Sequence, residues 1–256
     1  MITFFRKIRR NLLSQGKLIQ YLKYAIGEIV LVVIGILLAL QINNWNQNRM
    51  DNKIENTYLL GLKVEFQISK LKLEELISVI QKNYSGAQDI LKYIHSKNEL
   101  PSESEFSKLL YHTFSEDIAF NPNTSLIYEM INSGHLKNLK NANLRKHLTS
   151  WISTLEDVSK QEEELASQRI KVIDMFRTNE ASLSVVFNQA GVYSDLGLPE
   201  SKNEMSNLAL LESTAFENNV LIFILTCHAT EKAHFQPLMR DLDTILDLIS
   251  KEIEQR

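Results

Sequence analysis

Residues 24–45 read YAIGEIVLVVIGILLALQINNW, and this stretch decides how the rest of the chain is organised. Glu28 is its only charge, and Ile29 to Leu40 is an unbroken run of twelve apolar or small residues. As a helix, Ala25 to Trp45 is about 31 Å long, enough to cross a hydrocarbon core of about 30 Å. Upstream, Arg6, Lys7, Arg9, Arg10, Lys17 and Lys23 give residues 1–23 a charge of +6 with no acid. Downstream, 22 of the 28 bases and 30 of the 31 acids leave residues 46–256 at −8. The net charge of −3 conceals this asymmetry.

A twelve-residue apolar core also fits a cleaved signal peptide. Against that reading, 23 residues precede the segment, and Gln41, Ile42, Asn43, Asn44 and Trp45 follow it without a small-residue cleavage site. The segment therefore reads as an uncleaved anchor. Its basic flank places the N-terminus in the cytoplasm and residues 46–256 across the membrane, with Tyr21, Tyr24 and Trp45 at interfacial depth. The expected organisation is a cytoplasmic basic leader over 1–23, a transmembrane helix over 24–45 and an extracytoplasmic helical domain over 46–256.

In the leader, Phe4, Phe5, Ile8 and Leu12 share one helical face, while Arg6, Arg9 and Arg10 lie largely off it. With Lys7, these bases either meet anionic headgroups at the bilayer surface or serve only to set topology. Within the span, Gly35 and Ala39 form a small-xxx-small pair, and Gly27 lies eight residues before Gly35 on roughly the same face. This is a close-approach surface for a homodimer. Glu28 is an intramembrane acid near the cytoplasmic end, where the positive end of the helix dipole and nearby solvent stabilise a carboxylate.

With 8 Gly and 4 Pro in 256 residues, about 5% against a usual 12%, the chain has too few turn-formers for many short strands. The expected class is all-α. From Asp51 to Lys97, Leu59, Leu62, Phe66, Ser69, Leu73, Leu76, Ile80, Tyr84, Ala87, Leu91 and Ile94 follow three- and four-residue steps. This is a long first helix, read as the spine of an antiparallel bundle because later helices also carry apolar faces that need covering, with one strand of a coiled-coil dimer as the alternative.

The spine ends at Asn98, Glu99, Leu100 and Pro101. A capping box of Ser102 and Glu105 then opens a short helix to Phe114. Thr124 or Ser125 caps a helix that stops at Gly134. Asn141 or Asn143 caps a third, running through Leu144, Leu148 and Trp151, past a solvated Glu162, Glu163 and Glu164, to about Phe176. Residues 178–204 read as the longest irregular stretch. From Thr214 to Ile253 the chain is helical again, with Val220 to Leu225 read as the buried centre of the bundle and Pro237 as a kink or restart.

Reactive constellations are sparse. His228, Glu231 and His234 are the one set that could line a helical face with metal-ligand chemistry, but the plainer reading of the same residues is a buried or interfacial hydrogen-bonded cluster, and no metal site is assigned. Cys227 sits beside an apolar run without a basic helper, as an inert thiol does. No phosphate loop or nucleophile elbow occurs. The −8 charge disfavours nucleic acid.

The block Tyr21 to Asn46, preceded by FFRKIRRNLL, resembles the opening of bacterial single-span membrane proteins grouped as domain-of-unknown-function family 6090. The later pattern Tyr128, Glu129, Ser133, Gly134, His135, Leu136, Leu139, Asn141, Leu144, Arg145 and Leu148 is similar to that family's internal signature, with His135 standing where Asn is expected. The resemblance implies a single span in the bacterial inner membrane and a helical periplasmic domain, and no activity. The expected function is an uncharacterised membrane-anchored module that binds a protein partner or small ligand without catalysis or a cofactor. The alternative is a tethered enzyme with a site near 178–204 or around His228, Glu231 and His234.

Overall fold

The computed structural model describes residues 6, 10, 18–96, 100–202 and 205–255. Lys7, Arg9, Lys17, the leader positions Phe4, Phe5, Ile8 and Leu12, the turn residues Asn98 and Glu99, and the Tyr21 side chain lie outside the described set. Among the described residues there is no strand, and the protein is all-α. Helices α1 (Leu18–His95), α2 (Glu103–Phe114), α3 (Ser125–Asn132) and α4 (Ala142–Asp174) are followed by the short α5 (Leu183–Gln189) and α6 (Val192–Asp195). Helix α7 (Thr214–Ala229) leads through a π-helical segment, Thr230–Phe235, into α8 (Gln236–Glu254). Two compact units divide the chain, Met1–Thr57 and Tyr58–Arg256.

In the first unit, Arg6 and Arg10 are helical and exposed. Its part of α1 is long and apolar enough to cross a membrane, and none of the most apolar eighteen-residue window is buried. Ile29, Leu31, Leu37 and Trp45 are all exposed, and a Cβ added at Gly27 or Gly35 would meet nothing within 4 Å. Glu28 is half-buried. A helix that is apolar all round with nothing packed against it is covered by lipid, not water, when it spans a membrane.

The second unit is an antiparallel bundle whose register is written in its pairs. Along α1, Lys70 meets Asp243 at 2.6 Å, Gln81 meets Glu231 at 3.0 Å and His95 meets Glu217 at 2.9 Å. Each step forward on α1 is thus matched by a step back on α8 and α7. Along α4, Asn141 meets Glu252 at 2.8 Å, His147 meets Asp241 at 2.6 Å and Gln161 meets Thr230 at 3.0 Å, again in opposite directions. Helices α1 and α4 therefore run parallel, and Phe66 and Trp151 pack between them with ring centroids 5.1 Å apart. Most of the α1 stripe forms the spine's buried face, with Leu59, Leu62, Leu73, Ile80 and Ala87 at 1% exposure or less. Asn83 and Ile90, outside the stripe, are fully buried, while its members Leu76, Tyr84, Leu91 and Ile94 are only partly buried. Its polar slot, Ser69, is buried and donates to the Glu65 carbonyl at 2.8 Å.

Two glycines let the short helices close on the spine. A Cβ on Gly61 would lie 2.6 Å from Leu126 Cδ1 of α3, and one on Gly86 would overlap Thr113 Oγ1 of α2. Local signals set the ends. Ser102 and Glu105 form the reciprocal capping box of α2, and Asn141 Oδ1 accepts the Leu144 N–H at 3.0 Å to cap α4. Gly134, at φ +73°, ends α3 in the left-handed region.

Three expectations are corrected. Val220 and Phe223 are fully buried, but Leu221, Ile222 and Leu225 are 43%, 45% and 68% exposed, so the run is not enclosed. Helix α7 packs on α4, meets α1 at His95–Glu217 and α2 at Phe106–Phe216 and Phe114–Phe223, and leaves Leu221, Ile222 and Leu225 facing outward. Glu162 is buried, not solvated. Residues 178–204 hold two short helices and buried Ala181, Val185, Val186 and Val192. Pro237 follows the π-helical segment at the start of α8. Lacking an N–H and carrying a ring that clashes one turn back, proline disfavours a regular helix there, and the wider π turn accommodates both defects.

Candidate binding cavity

The capping box of Ser102 and Glu105 starts α2 so that Leu110, Tyr111 and Phe114 arrive at its C-terminal end. Helix α4 brings Arg169 and Ile173 alongside, and the 3-10 turn Met175–Arg177 adds Phe176. The remaining wall is supplied by residues between Leu183 and Leu196, held by two asparagine clasps. Asn207 Oδ1 accepts the Ser182 N–H at 2.7 Å, its amide donates to the Ser182 carbonyl at 3.0 Å, and its own N–H reaches Glu103 at 3.1 Å. Asn188 exchanges bonds with the Ser201 backbone at 2.6 and 3.2 Å. Ser182 caps α5, and Gly191 at φ +80° turns the chain into α6. Leu183, Val186, Phe187, Val192 and Leu196 then close a cavity of about 360 Å³.

The walls are carbon apart from Ser115, the Tyr111 hydroxyl and one cation. Phe187 stacks edge-on against Tyr111 at 6.3 Å and Tyr193 at 6.2 Å. The cation is Arg169, whose side chain is 18% exposed. Its Nη1 donates to the Phe114 carbonyl at 3.0 Å and its Nη2 to Asp117 Oδ1 at 3.2 Å. The first bond satisfies a carbonyl that the end of α2 leaves open.

Nearby, the segment linking α2 to α3 is tied down by charge. Glu162 accepts the Phe120 N–H at 2.9 Å, and Lys72 donates to the Asn121 carbonyl at 2.8 Å. Burial pushes the Glu162 carboxyl up to about 7, with the Phe120 bond opposing and the Asp117 charge reinforcing the shift.

A second polar group lies where α3 meets α1. Tyr58 donates to Glu129 at 2.8 Å, and its hydroxyl lies 3.0 Å from His135 Nδ1, which Ser133 Oγ also meets at 2.8 Å. The bond to Glu129, with burial, holds the Tyr58 phenol above its usual range. His135, the departure from the resemblance, is thus the hub of this contact.

The constellation His228, Glu231 and His234 is spread over different partners. Glu231 is buried and accepts from Gln81 of α1, Lys232 and Gln236. Burial alone would raise its carboxyl, but those donors outweigh it and hold the group low. His234 faces Asp157 of α4 at 3.4 Å, and His228 is exposed beside the Tyr84 ring. Among the described residues no three His, Cys, Asp or Glu side chains gather as metal ligands. Cys227 is buried, and burial pushes its thiol up to about 12, so the thiolate is scarce at neutral pH.

The fold defines a class: an all-α protein with one N-terminal helix long and apolar enough to cross a membrane, and a helical bundle with an apolar cavity. Residues 28–174 match the model of a family of unknown function, DUF6090, over more than half of the chain, and the protein belongs to that family. The match ends with the last residue of α4, so the α5–α6 wall of the cavity lies beyond it. No curated protein and no solved structure matches the chain.

Proposed function

We propose that this protein is a single-span, membrane-anchored helical module that acts by binding, with no catalytic step. Its N-terminus lies in the cytoplasm and residues 46–256 lie in the periplasm of a bacterial inner membrane. The orientation rests on the +6 flank. The single observation that carries the binding reading is the cavity of about 360 Å³ between α2, α4, α5 and α6. Such a hollow leaves its lining without partner atoms on one side, and a ligand supplies them. Partner proteins have a surface as well: Leu60, Val64, Ile68 and Leu71 are exposed in one row on α1. In the span, Gly27, Gly35 and Ala39 offer the close approach that a second copy would use.

The test is a thermal-shift panel of acyl, aromatic, sugar and peptide compounds on the full chain in nanodiscs, beside crosslinking in native membranes. The expected result is one compound class that raises the melting temperature of the wild type and not of Leu183→Trp. A flat panel, with crosslinking that recovers only monomer, contradicts the reading.

A further inference from the structure

The cavity's lining specifies a ligand chemistry as well as a volume. At about 360 Å³ it sits near the lower end of small-molecule sites, which span roughly 300–1,000 Å³. It therefore admits one chain or a small ring system, and not two chains side by side. Ten of the twelve lining residues are aliphatic or aromatic, apart from the Tyr111 hydroxyl, so the ligand's body is apolar. The only formal charge among them is Arg169.

Two features make Arg169 suited to an incoming anion. The Phe114 carbonyl fixes the guanidinium through Nη1, so its plane is already oriented. Its side-chain partner Asp117 is 66% exposed and reached by a single 3.2 Å bond from Nη2. Only the Asp117 end of this pair is open to solvent, and a carboxylate or phosphate arriving from the apolar side takes its place with an equivalent charge-assisted bond. A cationic head meets the guanidinium as a like charge, and a neutral head accepts a bond from it without the ion pair or the bidentate geometry of a carboxylate or phosphate.

We propose that the cavity between α2, α4, α5 and α6 binds the apolar portion of an anionic amphiphile, with the Arg169 guanidinium exchanging Asp117 for the ligand's carboxylate or phosphate. This rests on the binding reading above. The acyl chain and acidic head have two sources, a free fatty acid or a membrane lipid that offers one of its chains.

The test is photolabelling of the full chain in phosphatidylcholine nanodiscs, with adducts mapped by mass spectrometry. The probes are a diazirine-bearing dodecanoic acid, the matching dodecanol, and a phosphatidylglycerol carrying the same diazirine chain. The acid is expected to label peptides holding Leu110–Ser115, Arg169–Phe176 and Leu183–Leu196. Leu183→Trp, which fills the cavity, and Arg169→Gln are each expected to lower that yield about tenfold, and Arg169→Lys to restore part of it. Because Arg169→Gln also removes a bond to α2, Leu196→Trp at a 61% exposed lining position is the second blocking variant. Labelling by the acid alone supports a free fatty acid, and labelling by phosphatidylglycerol as well supports a lipid chain. Equal labelling by dodecanol overturns the anionic head while leaving the binding reading intact. Adducts confined to the span with all three probes overturn the proposal; whether the binding reading falls too is decided by the thermal-shift panel.

Discussion

The Glu162 carboxylate on α4 accepts the Phe120 backbone N–H at 2.9 Å while only 7% of the residue is exposed. A charge is thus held in the bundle by one donor from the α2–α3 connection. Its folded carboxyl is raised to about 7 from an ordinary value of 4.5, first by burial. The folded state therefore binds the proton more tightly than the unfolded state does, so this group's contribution is fully present below about 4.5 and is lost as pH rises to about 7. Glu162→Gln keeps an acceptor for Phe120 without the charge. It is expected to stabilise the protein by about 1–2 kcal/mol at pH 8 and to change little at pH 4. Denaturant unfolding of the two proteins across that range checks this. A variant that is less stable at pH 8 contradicts it.

Gly61 and Gly86 are where the short helices touch the spine. Gly86→Ala places a methyl against the buried Thr113 hydroxyl. Overpacking of about 1–3 kcal/mol is expected to exceed the helix-propensity gain of about 0.5–1 kcal/mol. Gly35→Ala meets open space and is expected to leave the melting temperature of the bundle unchanged. Melting curves of both variants in nanodiscs separate the cases.

Within α7, neighbouring residues are expected to respond oppositely. Phe223 is fully buried against Phe114, with centroids 5.1 Å apart, and Phe223→Ala is expected to cost about 3–5 kcal/mol. Leu225 is 68% exposed, and Leu225→Gln is expected to fall within about 0.5 kcal/mol of wild type. Equal costs at the two positions in urea titrations would mean that the α7 run is enclosed after all.

Asn207 joins the start of α5 to the first turn of α2 through Ser182 and Glu103. Asn207→Ala leaves buried backbone groups without partners and is expected to cost about 1–3 kcal/mol. The loss is local, so limited proteolysis is expected to cut within 178–204 before the long helices open. Cleavage elsewhere first would contradict the clasp.

Much of this architecture is legible in the sequence because its signals are local. The Ser102–Glu105 box, the Asn141 cap and the Gly134 stop each depend on a few consecutive residues, and the α1 stripe on a repeating step. Glu162 was not legible: it stands in a run of three glutamates that reads as a solvated face, and only the return of residues 115–124 over α4 buries it. The Val220–Leu225 run fails for the converse reason, since hydrophobicity does not say how many sides of a helix its neighbours reach. The cavity escapes notice because its walls come from four segments, none unusual alone. Arg169, one of several bases around the end of α4, was the available signal, and it has meaning only once Phe114 and Asp117 lie beside it. His228, Glu231 and His234 share spacing but not surroundings, because the π-helical segment sends Glu231 toward α1 and His234 toward α4.

The anchor is the premise of the whole account, and one measurement reaches it directly. Native membranes containing the full chain are washed with alkaline carbonate, and inverted vesicles from the same membranes are treated with protease. The protein is expected to stay with the bilayer, and residues 46–256 are expected to be protected as one fragment. Release into the carbonate wash, or digestion of the bundle from the cytoplasmic side with only the leader spared, would contradict it.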